Sequence, residues 1–202
     1  MEIQLTSKDK KRIEESILGK YAKVAISPEG LFKYPTGLPG LKALNYDPEI
    51  IQALPEPVLA SYCGVGNPFT LGPISEGEAV LDIGCGAGVD AIVAAKMVST
   101  TGTVRGIDMV PEMLAQAREN ARMTELENVT FMEASAEKLP FPDASFDVVI
   151  SNGVFNLVAD KTRALEEAFR VLKPESRLMI ADQVLVGELP KNMKARIKSW
   201  FR

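Results

Sequence analysis

Val80-Leu81-Asp82-Ile83-Gly84-Cys85-Gly86-Ala87-Gly88 decides the fold: an apolar run enters three alternate glycines, and a helical pattern over Val89 to Val98 comes immediately after. Glycine lets a strand-to-helix turn close tightly and lets backbone approach a ligand with no Cβ in the way. The spacing is G-x-G-x-G. The nicotinamide and flavin pattern G-x-G-x-x-G needs glycine or alanine at position 89, where this chain has Val89, and no Tyr-x-x-x-Lys pair is present. A nicotinamide-dependent oxidoreductase is therefore disfavoured. Asp108 stands twenty residues past Gly88, at the end of the next apolar run, where an acidic side chain can accept hydrogen bonds from ribose hydroxyls.

Downstream, short β-rich runs alternate with helical ones, the signature of βα units and a parallel sheet. Strands are predicted over Ala79 to Ile83, Thr103 to Asp108, Asn128 to Met132, Phe146 to Ser151 and Arg177 to Ala181. Pro111 to Met123 reads as a helix with proline at its first position and Leu114, Ala117 and Ala121 inward. Asp160 should cap a further helix that turns Leu165, Phe169 and Leu172 inward. The expectation is an α/β, Rossmann-like, doubly wound and mostly parallel sheet over residues 77–202, preceded by a cap over residues 1–76.

In the cap, Ile13, Ile17, Tyr21 and Val24 recur at helical spacing, with Ser7 available as the N-cap. Residues 27–73 are broken repeatedly by Pro and Gly, apart from a short helix over Pro48 to Ala53. Phe32, Tyr34, Leu41, Leu44, Tyr46 and Phe69 make this stretch too apolar for a solvated tether, so it reads as an irregular cap laid over the core. At the other end, Met193, Ile197, Trp200 and Phe201 keep helical spacing, and residues 190–202 carry five basic residues and no acid. This helix is expected to dock on the sheet or on another subunit, or else the chain is a fragment whose last strands lie beyond Arg202.

Composition narrows the chemistry. The 202 residues are 46% apolar and 25% charged, close to the globular average. With 23 Lys plus Arg against 27 Asp plus Glu and no long basic block, nucleic acid is a poor partner. There is no histidine, which removes Ser-His-Asp and Cys-His catalysis, and two cysteines cannot form a four-cysteine zinc site or a disulfide framework. No metal is expected. Without the apolar core of a signal peptide or a membrane-spanning run, a reducing cytoplasm is the expected compartment. Oligomeric state is not assigned by the sequence.

From Gly77 to Ala181 the chain resembles the class I methyltransferases that use S-adenosylmethionine, through D-x-G-C-G-x-G, G-x-D-x-x-P-E-M, L-P-F-x-D-x-S-F-D and E-x-x-R-V-L-K-P. YPTGLPG, GVGNPF, DMVPEM and SNGVFNLVADK further resemble the arsenite-methyltransferase-like branch and extend the likeness to nearly the whole chain. The resemblance implies that Asp82, Gly84, Cys85, Gly86 and Gly88 form the methionine end of the S-adenosylmethionine site, with Asp108 at the ribose and Met109 on one adenine face. It also implies Ala136 and Glu137 at the adenine edge, although Ser135 stands where the family often has an acid, and Asn152 at the methyl-transfer site. Asn152 can equally be a polar loop residue that satisfies backbone groups.

The implied activity is methyl transfer to a small-molecule acceptor. Tyr34, Tyr62 and Phe69 either roof the acceptor pocket or form the cap's own core, and Cys63 is either a substrate-side thiol or a small buried hydrophobe. Arsenite enzymes hold trivalent arsenic with several cysteine thiolates, and their form SNCVINL has a cysteine where this chain has Gly153. That departure, and Glu175-Ser176 in place of the usual Gly-Gly, leave a noncatalytic S-adenosylmethionine-binding module or an incomplete methyltransferase as the alternative. Asp147 reads as a strand-start residue outside the site.

Overall fold

Two runs, Ala79 to Ile83 and Phe146 to Ser151, carry apolar side chains toward both faces, so they require cover above and below. The computed structural model, which describes residues 5–184 and 186, provides it. Strands β1 (Ala79–Ile83), β2 (Thr103–Asp108), β3 (Val129–Glu133), β4 (Phe146–Asn152) and β5 (Leu172–Ala181) form one sheet in the order β3-β2-β1-β4-β5, with every pairing parallel. On one face Val80, Val104, Val148 and Ile150 pack with alanines and leucine of α5 (Val89–Met97) and α6 (Pro111–Met123). On the other, Leu81, Ile83, Ile107 and Val149 meet α7 (Lys161–Val171). The strand order reverses between β1 and β4, and ligands of such sheets bind in the crevice that opens at the carboxyl ends there.

Helix α7 corrects one expectation. Leu165 and Phe169 are 43% and 75% exposed, while Ala164, Glu167, Ala168 and Val171 face inward, and Leu172 already belongs to β5. The two alanines let the helix lie close on the sheet, where bulkier residues would hold it off. Glu167 is tolerated inside because its carboxylate accepts from the Leu139 backbone N–H at 2.8 Å and from Arg170 Nη2 at 2.8 Å. The charge-assisted bonds to Arg170 hold its carboxyl at about 2, below the usual glutamate range. Asp160 caps α7 as expected, accepting from the Arg163 N–H at 3.1 Å.

The N-terminal region is built of packed helices: α1 (Ser7–Val24), α2 (Gly37–Ala43), α3 (Pro48–Gln52), α4 (Glu56–Ala60) and a 3₁₀ turn over Pro68–Leu71. The cap of α1 is Thr6, one residue before the Ser7 expected from the sequence. Its hydroxyl accepts from the Asp9 N–H, while the Asp9 carboxylate accepts from the Thr6 N–H, each at 3.2 Å. Leu41, Tyr46, Ile51, Val58, Leu59 and Tyr62 form a core that continues into Val89, Ile92 and Val93 of α5. Phe69 belongs to this packing, edge-on to Tyr46 with ring centroids 5.9 Å apart, and does not roof the pocket. Asp147 accepts from the Ala79 N–H at 2.9 Å and pairs with Lys173 at 2.8 Å, a strand-start anchor. The amphipathic helix expected around Met193 to Phe201 lies outside the described residues.

The α7 packing has a direct test. Ala168→Leu should overpack the helix-sheet contact and cost about 1–3 kcal/mol, whereas Phe169→Ser should stay within about 0.5 kcal/mol of the parent. Urea unfolding midpoints of the two variants read the difference.

Candidate functional site

The crevice at the carboxyl ends of β1, β2 and β4 is a pocket of about 310 Å³. Its floor is the glycine turn after β1. Gly84, Gly86 and Gly88 take positive φ of 72°, 53° and 81°, the left-handed region that glycine enters at little cost. Gly84 and Gly86 line the pocket. Gly88 lies outside its wall and serves the helix-sheet seam, where an added Cβ would sit 2.8 Å from Phe131 Cζ and 3.0 Å from Ala117 Cβ. The Cys85 thiol points into the core, 3.0 Å from where a Cβ on Gly106 would stand.

Asp82 and Asp108 reach the pocket from the ends of β1 and β2. Asp108 accepts from the backbone N–H groups of Gly86 and Val110, each at 2.9 Å, which draws the glycine turn onto β2. Burial pushes its carboxyl above the usual aspartate range despite these bonds. Asp82 is 2% exposed, and its Oδ2 has no hydrogen-bond partner. Burial, with Asp90 and Asp108 nearby, raises it well above the usual range. Met109, Ala136 and Glu137 line the side beyond Asp108, where Glu137 Oε1 also accepts from the Asp160 N–H at 3.0 Å.

The opposite wall is the cap. Tyr62, Cys63, Gly64 and Val65 come from the loop after α4, and Tyr34 is tied to it by a hydrogen bond from its hydroxyl to the Cys63 carbonyl at 3.1 Å. Asn152, at the end of β4, sits between this loop and the core. Its Oδ1 accepts from the N–H groups of Val65 and Gly66 at 2.9 and 3.1 Å. Its Nδ2 donates to Asp90 Oδ2 and to the Gly66 carbonyl, both at 2.8 Å. Both ends of the amide are thus engaged within the protein, so the geometry suits the loop-satisfying alternative weighed for this residue from the sequence.

Asp90 and Tyr46 are absent from the sequence-based site. Asp90, 7% exposed in the first turn of α5, accepts the Tyr46 hydroxyl hydrogen at 2.7 Å on Oδ1. Tyr62 donates to the Gly66 carbonyl at 2.8 Å, its hydroxyl 3.1 Å from that of Tyr46. The available signal is that Asp90 is the one acid in a nine-residue helix otherwise apolar through Ala95, which leaves it no exposed face. Helix α1 supplies the outer wall through Lys10, Ile13, Glu14, Ile17 and Tyr21, spaced to share one side of the helix.

The donor set suits a soft-acceptor site poorly. Cys63 and Cys85 both line the pocket, but the Cys85 thiol turns into the core, and desolvation of the half-buried Cys63 pushes its thiol up to about 12, so it is neutral at physiological pH. At Gly153, where arsenite enzymes have cysteine, φ is +73° and a Cβ would lie 3.2 Å from both Val65 methyl carbons. Among the described residues no group of three or more Cys, Asp or Glu is placed to hold a metal ion, and no helix is long and apolar enough to cross a membrane.

Against known proteins, a family model described as a methyltransferase domain matches residues 74–202. The chain is 33% identical over 207 residues to an arsenite methyltransferase of Halobacterium salinarum, an alignment that covers 96% of this chain and 53% of that protein. The crystal structure of CrArsM, an arsenic(III) S-adenosylmethionine methyltransferase from Chlamydomonas reinhardtii, matches with a TM-score of 0.56 and 37% identity over 74% of this chain and 50% of that one. A SAM-dependent methyltransferase from Aquifex aeolicus matches with a TM-score of 0.54 and 31% identity over 70% of each chain. This chain spans about half the length of the curated arsenite methyltransferases it matches, 53% in the Halobacterium case and 40% in that from Aquipseudomonas alcaligenes.

The Cys63 environment sets a pH signature. Alkylation by iodoacetamide should be slow at pH 8 and rise about tenfold per pH unit without levelling by pH 10, because only the thiolate reacts. A plateau near pH 9, as for a free thiol, would contradict the desolvated, half-buried environment of Cys63.

Proposed function

Because this chain belongs to the class I S-adenosylmethionine-dependent methyltransferases, we propose that it transfers a methyl group from S-adenosylmethionine to a small acceptor seated against the cap loop Tyr62–Val65. The single observation that carries this reading is the buried Asp82 carboxylate, facing the pocket beside the glycine turn and Asp108, whose Oδ2 has no hydrogen-bond partner although the group is bonded to the Ala91 backbone. An unpaired polar atom held dry on the protein side is costly unless a ligand group meets it.

In this reading Asp82 receives the methionine ammonium, and the Gly84–Gly86 backbone approaches the methionine end closely. Asp108 keeps lone pairs for ribose hydroxyls while its bonds to Gly86 and Val110 hold the turn. Met109 packs one adenine face, and Ala136 and Glu137 border the adenine edge. Gly88 contributes through the turn's conformation. Bound here, S-adenosylmethionine supplies a methyl already activated by its sulfonium. The chain's residues then need to hold an acceptor lone pair in line at about 3–3.5 Å and exclude water. Tyr34 and Tyr62 shape the acceptor side with neutral hydroxyls, since burial pushes both above the usual tyrosine range. Asn152 positions the cap loop. No histidine is required for such a displacement.

Within the arsenite-methyltransferase-like branch, this chain is proposed to differ in its acceptor. Two pocket-lining cysteines, one with its thiol turned into the core, and Val65 occupying the space beside Gly153 do not make a three-thiolate cradle for trivalent arsenic among the described residues. The acceptor screen should therefore set arsenite and thiol-conjugated arsenicals beside small neutral nucleophiles.

Calorimetric titration with S-adenosylmethionine, S-adenosylhomocysteine and NAD tests the donor. Both adenosyl ligands should bind and NAD should not, and Asp108→Ala should weaken the adenosyl ligands at least about tenfold. Binding of NAD alone, or unchanged affinity in Asp108→Ala, would sink the assignment. Binding of both adenosyl ligands without turnover of any acceptor would favour the noncatalytic reading.

A further inference from the structure

The cap side of the pocket is walled by aromatic rings, and one of them keeps a free polar end. Three tyrosines line the pocket: Tyr21, Tyr34 and Tyr62. Tyr34 donates to the Cys63 carbonyl at 3.1 Å and Tyr62 to the Gly66 carbonyl at 2.8 Å, so both hydroxyl hydrogens are spent on the cap. The Tyr21 hydroxyl has no hydrogen-bond partner among the described residues. Desolvation, with Cys63 and Tyr34 nearby, raises it above the usual tyrosine range, so it keeps its proton and is a donor. Phe32 joins the wall, its ring centroid 6.4 Å from that of Tyr21 and 5.0 Å from that of Tyr34. Lys20 does not line the pocket, yet its Nζ lies over two of these rings, 4.7 Å from the Phe32 centroid and 5.4 Å from that of Tyr21. No carboxylate pairs with it among the described residues.

Aromatic faces attract cations, but here Lys20 already sits on two of them, and a second cation beside it is repelled. A cationic amine is therefore the wrong acceptor. A planar ring packs well against rings in tilted or offset contact, and an anionic oxygen answers both the Tyr21 donor and the Lys20 charge. We propose that the acceptor is a phenol, packed on Tyr21, Phe32 and Tyr34 and methylated on its oxygen, with Tyr21 as the hydrogen-bond donor that selects it. The phenol gives its O–H proton to solvent on entry. A lone pair of the phenolate oxygen then attacks the methyl carbon, and the carbon–sulfur bond breaks with its electron pair passing to sulfur. An aryl methyl ether and S-adenosylhomocysteine result. This inference rests on the donor reading of the pocket and names the acceptor class for it. Tyr21 acts as a binding residue, and Lys20 acts through its charge.

Calorimetry on the full chain saturated with S-adenosylhomocysteine reads acceptor binding without turnover, with 4-nitrophenol and benzylamine as probes. Wild-type protein should bind 4-nitrophenol at least about tenfold more tightly than benzylamine. Tyr21→Phe keeps the ring, and it should weaken 4-nitrophenol at least about tenfold and S-adenosylhomocysteine less than about threefold. Lys20→Met should narrow the preference over benzylamine by about threefold or more. With S-adenosylmethionine in place of the product, chromatography should show the methyl ether of 4-nitrophenol or of catechol. Benzylamine binding as tightly as 4-nitrophenol in wild type overturns the inference, as does a preference unchanged in Lys20→Met. Full 4-nitrophenol affinity in Tyr21→Phe does the same, and so does an equal loss of both ligands, which would place Tyr21 on the donor side or in a structural role. Phenol binding with neither ether formed overturns methylation on oxygen. Failure of S-adenosylhomocysteine to bind wild type removes the donor reading and this inference together, whereas its binding without 4-nitrophenol removes the inference alone.

Discussion

One side-chain amide holds the site together. Asn152 stands at the end of β4, beside the end of β1 where the strand order reverses, and bonds at once to the cap loop and to the first turn of α5. An amide offers two acceptor sites and two donors, so it can face a pair of backbone N–H groups with one end and a carboxylate and a carbonyl with the other. No other uncharged side chain of its size does both. Because the loop it holds carries Cys63, Gly64 and Val65, the width of the pocket depends on this joint. Buried networks of this kind are stiff when every member is matched and weak when one is missing.

The sheet is legible in the sequence because its central strands β1 and β4 are apolar and buried on both faces and its strands are bounded by unambiguous turns. Ala79–Ile83 and Thr103–Asp108 are read with their observed limits, and the G-x-G-x-G turn marks the passage from β1 into α5. Helix α7 is read one face out of register for a physical reason. Its large apolar residues, Leu165 and Phe169, invite an inward assignment, but close helix-sheet contact selects the smaller Ala164 and Ala168. The cap helices are short and proline-broken, so helical periodicity has too few turns to show. Asp90 and Tyr46 escape because their partnership spans forty-four residues and no local pattern encodes it. Gly84, Gly86 and Gly88 look equivalent in sequence, yet packing separates them: two line the pocket and the third closes a seam.

The likeness to arsenite methyltransferases and the local chemistry point in different directions at one place. Across the glycine turn, Asp108 and the cap motifs, the chain keeps closely to the branch. At Gly153 it departs from the SNCVINL form, and here Val65 lies where a cysteine Cβ would need space and the backbone takes a conformation that suits glycine. A back-substitution at that position therefore meets both strain and crowding.

Charge and rate oppose each other in such a pocket. On the proposed reading, methyl transfer discharges the sulfonium, so a carboxylate that meets the charged donor lowers the ground state more than the transition state and by itself slows the step. The compensation must come from interactions that do not depend on that charge. Three features serve this: the saturated Asn152 joint that fixes the cap loop, the tyrosine hydroxyls kept neutral by burial, and the apolar side of α1, where Ile13 and Ile17 pack with Met109 and Leu157 over the pocket. Each limits the freedom of an acceptor or keeps water out, and well-oriented reactants can recover several kcal/mol, on the order of 7–11 in favourable intramolecular cases. On the proposed reading, the cap governs how closely an acceptor is held for transfer.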